Sequence, residues 1–411
     1  MPTTYQTQFN NYVAYKAQSA RGTAATGTGA YLLPVTGGKG QLTKQAVQSQ
    51  QVRQDGMAVR GRHGTQKTSG QYQGELQLSN YDPILEAVMR GTWASGASIT
   101  QATGSMSSAT MSATGSTITF SGGSVITAGV RVWDIVTFTV GLAAGDLNRP
   151  LRVTGLTATT ITVAETLTTV TGPVSTYSFS VKGRKLINPA SGALVQRYFT
   201  IEEAELDADQ SELFTDCKWG KIDLSMQPNG MLNITPSWVG TGAAQGLTGA
   251  SAPYYTSPAL VGSATPLAAI DATLRIGTAD YVDLTAFSLS IDLGLNAPDV
   301  VGAKVSPDVF DGIMKVSGSI TAMRKDLAPF TDFLNENQLA LNMLAQVPGT
   351  SPTDFLSFSV VNFTLGGVDK SEIKRDGGPR TVTLNIAAEL VGVDTRGGAY
   401  DQTMVKIQAS N

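Results

Sequence analysis

The residues best able to do chemistry crowd into one stretch: Glu202, Glu203, Glu205, Asp207, Asp209, Glu212 and Asp216. If 200–209 is a strand, Glu203, Glu205, Asp207 and Asp209 share one face, because side chains alternate across a strand. Carboxylates so placed could hold a cation, work as an acid–base pair, or line a channel along which a polyanion slides without sticking. Their spacing matches no calcium loop and no partner is positioned for proton transfer, so the pattern favours a plain solvated face. A glycan hydrolase needs two carboxyl groups flanking the scissile bond, and neighbours on one strand face, such as Glu203 and Glu205, do not flank one.

The other reactive types occur singly. His63 is the only histidine and Cys217 the only cysteine, which excludes an intrachain disulfide and leaves too few ligands for the usual zinc, haem or iron–sulfur sets. Neither lies in a nucleophile motif; His63 reads as a loop residue, structural or at the surface, and Cys217 as a half-buried core thiol. Of the glycine strings, 26–29 (TGTG) lacks the third glycine of a dinucleotide loop, and 38–40 (GKG) lacks the Ser or Thr that follows Lys in a phosphate loop. Both read as turns. Asn233, Ile234 and Thr235 fit a glycosylation acceptor, but they fall in a predicted strand. The sequence implies no catalytic residue, no cofactor and no metal site.

These residues are carried on 411 positions, enough for roughly two to three domains. Charged residues make up only 15%, against about 25% in an average soluble domain. Ser, Thr, Gly and Ala fill the difference, which suits extended strands with polar loops and surface hidden between subunits. The formal net charge of -3 gives no basic excess for gripping a duplex. No apolar core of leader length stands in 1–15, and no run approaches the ~20 apolar residues of a membrane span, so the chain is expected in a cytosol.

Two parts of the chain end alike, 232–240 (LNITPSWVG) and 384–392 (LNIAAELVG), identical at five of nine positions. Upstream of each, in the same order, Ser-Gly opens an alternating segment that hands over at a proline to helical spacing: Ser69 and Gly70 before Pro83, Ser317 and Gly318 before Pro329. Asp82 is placed to cap the first helix, with Pro83 in its first turn. Pro83 to Gly240 spans 157 residues and Pro329 to Gly392 only 63, so the first copy holds 94 extra. A linker-like stretch at 94–116 leads into Thr-, Val- and Ile-rich strands predicted at 117–120, 134–140, 151–154 and 160–163, read as a small barrel or sandwich. Alternation also predicts strands at 287–295 and 382–390, and a hairpin from Ile222 to Trp238 through Pro228, Asn229 and Gly230. The expected plan is mainly β with minor helices: 1–94 with 183–245 as one unit, 95–182 inserted, 246–270 as linker, and 271–411 as a second unit.

The strings 12–16 (YVAYK), 40–43 (GQLT), 62–64 (RHG), 69–70 (SG) and 81–93 (YDPILEAVMRGTW), in this order, resemble the N-terminal part of the tail tube proteins of long-tailed bacteriophages. The resemblance implies a β-sandwich with a flanking helix in each unit, sheets joined side by side into a ring around a lumen, and rings stacked into a tube that carries the genome. With two units per chain it implies a trimer of pseudo-sixfold symmetry, with the inserted module outside. Implied partners are further copies of the chain and the tape measure, tail terminator and tail-tip proteins; DNA would pass without specific binding, and no membrane is involved. It places the protein in the virion tail, assembled in the host cytoplasm. A long loop in each unit, 44–67 and 297–315, would contact the next ring. The first carries Lys44, Arg53, Arg60, Arg62 and Lys67 against Asp55; the second carries Asp299, Asp308 and Asp311 against Lys304 and Lys315. Complementary charge could set ring register, or both loops could simply face water. The rival readings are a phage adhesin, a capsid-decorating protein, or a tail-tip ring protein on the same fold.

Overall fold

Alternation along the chain becomes strand wherever a neighbour can take the other half of the ladder. In Leu284–Asp292, Phe287, Leu289 and Ile291 point inward and the residues between them are half-buried; in the adjacent Lys315–Met323, Val316, Ile320 and Ala322 do the same. The computed structural model describes residues 5–411 except Ser191, Ala264, Lys374 and Asp376. It is mainly β, in several sheets none of which closes into a barrel, with two α-helices among the described residues. No helix there is long and apolar enough to cross a membrane.

The largest sheet contains an unbroken antiparallel run of eight strands. In spatial order these are Gly37–Val47, Arg62–Glu75, Asn233–Gly240, Gln210–Met226, Leu284–Asp292, Lys315–Met323, Thr381–Ile386 and Gly367–Lys370. Gln210–Met226 is long enough to serve two layers. Its first half pairs with Phe199–Glu205 and Ala244–Thr248, and Phe199–Glu205 in turn pairs with Asn11–Ala17, beside Tyr31–Leu33. A second sheet runs Ala279–Tyr281, Ala272–Ile276, Leu339–Val347, Asp354–Phe363, Val405–Ala409, Arg184–Ile187 and Ala94–Ser95. Helix α1, Asp82–Met89, follows Arg62–Glu75, and helix α2, Ala328–Leu334, follows Lys315–Met323. One apolar core spans the layers.

A cross-strand row explains two glycines. Gly40, Gly70, Trp238 and Trp219 stand opposite one another on four neighbouring strands. The buried Trp238 indole covers the bare backbone of both glycines: a Cβ on Gly70 would meet its Nε1 at 2.4 Å, and one on Gly40 its ring at 2.9 Å. Overfilling a packed core costs about 1–3 kcal/mol. Gly70→Ala is therefore expected to lower the thermal midpoint by several degrees while leaving the far-UV spectrum unchanged, as a melt followed by circular dichroism would show.

Residues 98–181 form a six-stranded sheet in the order Ser98–Thr100, Ser178–Val181, Ile135–Val140, Leu151–Leu156, Thr160–Val174 and Met111–Phe120. The path is open, and its strands share their own core, including Ile118, Phe138, Val153 and Phe179. The stretch 94–116 differs from a linker: it supplies two strands and part of a third, and buries Met106, Met111 and Ala113, because small side chains let this backbone lie flat in the core. Residues 246–270 also differ from a free tether, since Tyr255 is fully buried and Leu32 N–H donates to Ala259 O at 2.9 Å. The cap of α1 departs from expectation as well. Tyr81 is the N-cap with no side-chain bond, and Asp82, the first helical residue, instead pairs with Arg184. The strand expected at 382–390 ends at Ile386 and gives way to a 3-10 turn at Ala388–Leu390, which carries the chain across to the end of Asp354–Phe363, where Val391 bridges Phe363 and Leu390 O accepts Thr364 N–H at 3.1 Å.

Candidate assembly surfaces

The eight-stranded run ends in two strands that each have one partner among the described residues. Gly37–Val47 is flanked only by Arg62–Glu75, and Gly367–Lys370 only by Thr381–Ile386. Such edges present N–H and C=O groups to a further chain, although on the first edge the buried Gly40 N–H is taken by Glu203 and the free groups begin beyond it. The two edges differ in sequence, so a contact between them is head-to-tail.

From the first edge the hairpin extends into an arm in which every residue from 41 to 63 is exposed. Val47, Val52 and Met57 stand on it, Val52 wholly in solvent, as do Lys44, Arg60 and Arg62, none of which has an ion pair among the described residues. The corresponding loop, 293–314, lies back against the chain. Ser306 N–H donates to Thr241 O and Gln66 N–H to Lys304 O, both at 2.8 Å. Tyr198 Oη donates to Asp308 at 2.9 Å and Arg21 pairs with the same carboxylate at 3.1 Å. Asp311 accepts from Gln196 at 2.6 Å and from Lys218 at 3.1 Å, and Asp299 lies 3.4 Å from Lys67. The three acids expected to meet bases of another ring are therefore paired within the subunit, while most bases of the first loop are left over.

The acidic stretch is only in part a solvated face. Glu202 is fully buried and accepts the backbone N–H groups of Tyr254 and Tyr255, the second at 3.0 Å. Glu203 accepts from Tyr72 Oη at 2.6 Å and from the Gly40 N–H of the edge strand. Asp207 lies past the strand end and accepts Thr7 N–H at 2.9 Å, and Asp216 accepts Gly22 N–H at 2.7 Å. Each of these four acids clamps a different passing segment. Those segments are remote in sequence, so spacing within 200–216 holds no sign of them; Glu205, Asp209 and Glu212 do face solvent.

Burial pushes the Glu203 carboxyl above its ordinary value, against the bonds from Tyr72 and Gly40. The folded state then holds this proton more tightly than the unfolded chain, so the contribution of Glu203 to stability is greatest at low pH. It is lost as pH rises from about 4.3 through the raised value. Glu203→Gln keeps an acceptor and cannot ionise; its denaturation midpoint, measured against pH, is expected to lose that part of the slope.

Cys217 is wholly buried, which pushes its thiol well above the ordinary value and leaves it inert as a nucleophile. His63 lies in Arg62–Glu75, a strand rather than a loop, and is exposed. Gly38 and Gly40 likewise lie in a strand, not a turn, whereas Gly27 and Gly29 sit in a bend with left-handed φ of 83° each. Asn233 and Thr235 are in the Asn233–Gly240 strand. Among the described residues no three His, Cys, Asp or Glu side chains converge on a point that could hold a metal ion. A family model described as phage tail tube protein matches residues 8–390. No curated protein matches the chain.

Proposed function

Because the chain belongs to the phage tail tube protein family, and so is a structural component of a virion tail, we propose that three copies close head to tail into a ring of pseudo-sixfold symmetry. Rings stack into a tube, and the genome leaves through its lumen without specific binding.

The observation that carries this reading is a pairing order that occurs twice. Gly37–Val47, Arg62–Glu75, Asn233–Gly240 and Gln210–Met226 are neighbours in the same sense as Leu284–Asp292, Lys315–Met323, Thr381–Ile386 and Gly367–Lys370, with a helix after the second strand each time. The other layer matches too. Tyr31–Leu33, Asn11–Ala17, Phe199–Glu205 and the start of Gln210–Met226 correspond to Ala279–Tyr281, Ala272–Ile276, Leu339–Val347 and Asp354–Phe363. Ala244–Thr248 and Val405–Ala409 close the two sets. This supports two fused units, 1–94 with 183–245 and 271–411, joined through 246–270, with 95–182 inserted after the first helix and carried outside the tube.

The seam within the chain, where Leu224 faces Leu289 and Ile222 faces Ile291, is the pattern for the seam between chains: Gly367–Lys370 of one copy beside Gly37–Val47 of the next. Closure removes both edges. Tape measure, terminator and tail-tip proteins would meet the ends of the stack. Negative-stain electron microscopy of the concentrated protein, with light scattering to count subunits, tests this. Hollow tubes, or trimeric rings that stack into them, support it. Closed rings that never stack point to a tail-tip ring, and a stable monomer to a decorating or adhesin role.

A further inference from the structure

The two helices differ in what covers them. In α1, Ile84, Leu85, Val88 and Met89 are buried, whereas α2 and the residue before it leave Leu327, Phe330 and Leu334 exposed, the last at 63%. The loop 293–314 reaches the C-terminal end of α1. There Asp311 lies 3.8 Å from Arg90, and Met314 Sδ lies 3.0 Å from the Asn188 amide, which also donates to Met89 O at 3.1 Å. Arg90 stands just past α1 with a left-handed φ of 51°, and Glu336 stands just past α2 with the same φ. The loop that corresponds to 293–314 by pairing order is the arm at 48–61. Within one chain that arm springs from the far end of the eight-stranded run, seven strand spacings or about 34 Å from the edge beside α2. Only the arm of another copy can lie there as 293–314 lies on α1.

The charges fit such a contact and are reversed from the internal one. Inside the chain the helix end is basic, Arg90, and the loop acidic, Asp311. Toward the C-terminal end of α2 the helix side is acidic, Asp332 and Glu336, while the Lys370 ammonium lies over Phe330 at 5.4 Å; the arm is basic, Arg60 and Arg62, and neither these two nor the two acids have an ion pair among the described residues. Reversal rewards the arm on α2 and penalises it on the basic surroundings of α1, which orders the units around a ring.

Resting on the ring reading above, we propose that the arm at 48–61, with Arg62 at the start of the strand that follows it, docks on the exposed face of α2 in the adjacent copy of the same ring, Arg60 and Arg62 toward Asp332 and Glu336. The test compares three charge variants by light scattering and electron microscopy, with a thermal melt to confirm that each folds. Arg60→Glu with Arg62→Glu, and separately Asp332→Lys with Glu336→Lys, are each expected to need at least tenfold more protein to close rings. All four changes together should restore closure to within about threefold of the wild type. If the arm variant closes rings normally, or closes rings that fail to stack, the arm serves elsewhere and the inference is overturned while the ring reading stands. Wild-type protein that never associates would overturn both.

Discussion

Lys406→Ala is expected to destabilise the chain by about 3–5 kcal/mol, the cost of removing one member of a buried ion pair. Lys406 is 1% exposed on Val405–Ala409, and donates to Asp134 at 2.7 Å and to Val132 O at 2.9 Å. It also lies 2.6 Å from Asp401, with Lys185 at 3.2 Å from the same carboxylate. Asp134 is fully buried, so its charge would be left with the Arg131 N–H at 2.8 Å and one cation, Lys185, 3.7 Å away. Burial pulls the Lys406 ammonium down, but Asp134 and Asp401 outweigh it and hold the group above the ordinary lysine value. Burial pushes Asp401 up, yet Lys406 and Lys185 hold it below the ordinary carboxylate value. The contribution of Asp401 is thus present above its unfolded value and lost as pH falls through the folded one, while that of Lys406 is lost as pH rises through its own. Denaturant melts should show a lowered midpoint in Lys406→Ala, and Lys406→Met with Asp134→Asn should recover part of the loss because no bare charge remains. The network also locks the six-stranded module in place, since Gln408 bonds both the N–H and the C=O of Ile135.

That docking shows where sequence reading stops. The module departs from the chain just after α1, but its Asp134 and Arg152 meet Lys406 and Asp280, 272 and 128 residues further on. Periodicity is a local signal, and it located the strands around Phe287, Val382 and Ile222 because their inward residues alternate whatever lies opposite. It overruns at Leu390, where the chain turns away to bridge Phe363, and it misses the strands at 94–116, where Ala, Ser and Gly carry no hydrophobic period. The acids at 202–216 misled for a related reason: their partners are backbone N–H groups of Gly40, Tyr254, Thr7 and Gly22, which no composition reveals. The sheet edges were invisible as well, because an edge is defined by the absence of a pairing, not by any residue type.

Lys370→Pro is expected to abolish rings and tubes while leaving the subunit folded. The N–H of Ser371 donates to Thr381 O at 3.0 Å, and Lys370 stands opposite Val382. Bonded and non-bonded pairs alternate in an antiparallel ladder, so Ser371 and Thr381 form a bonded pair and the Lys370 N–H points away from Thr381–Ile386. Within the subunit that N–H has nothing to lose, and proline is tolerated on an edge whose N–H faces outward. Between subunits it would be one of the donors joining Gly367–Lys370 to the next Gly37–Val47, and the pyrrolidine ring would stand in the path of the incoming strand. The ammonium of Lys370 over the Phe330 ring, at 5.4 Å, is also lost. Lys370→Ala removes that contact and the charge but keeps the N–H, so it separates the two causes. The expected result is a monomer with a wild-type melt for Lys370→Pro and normal assembly for Lys370→Ala. Assembly by the proline variant would show that copies do not join through this edge, and failure of both variants would assign the effect to the side chain.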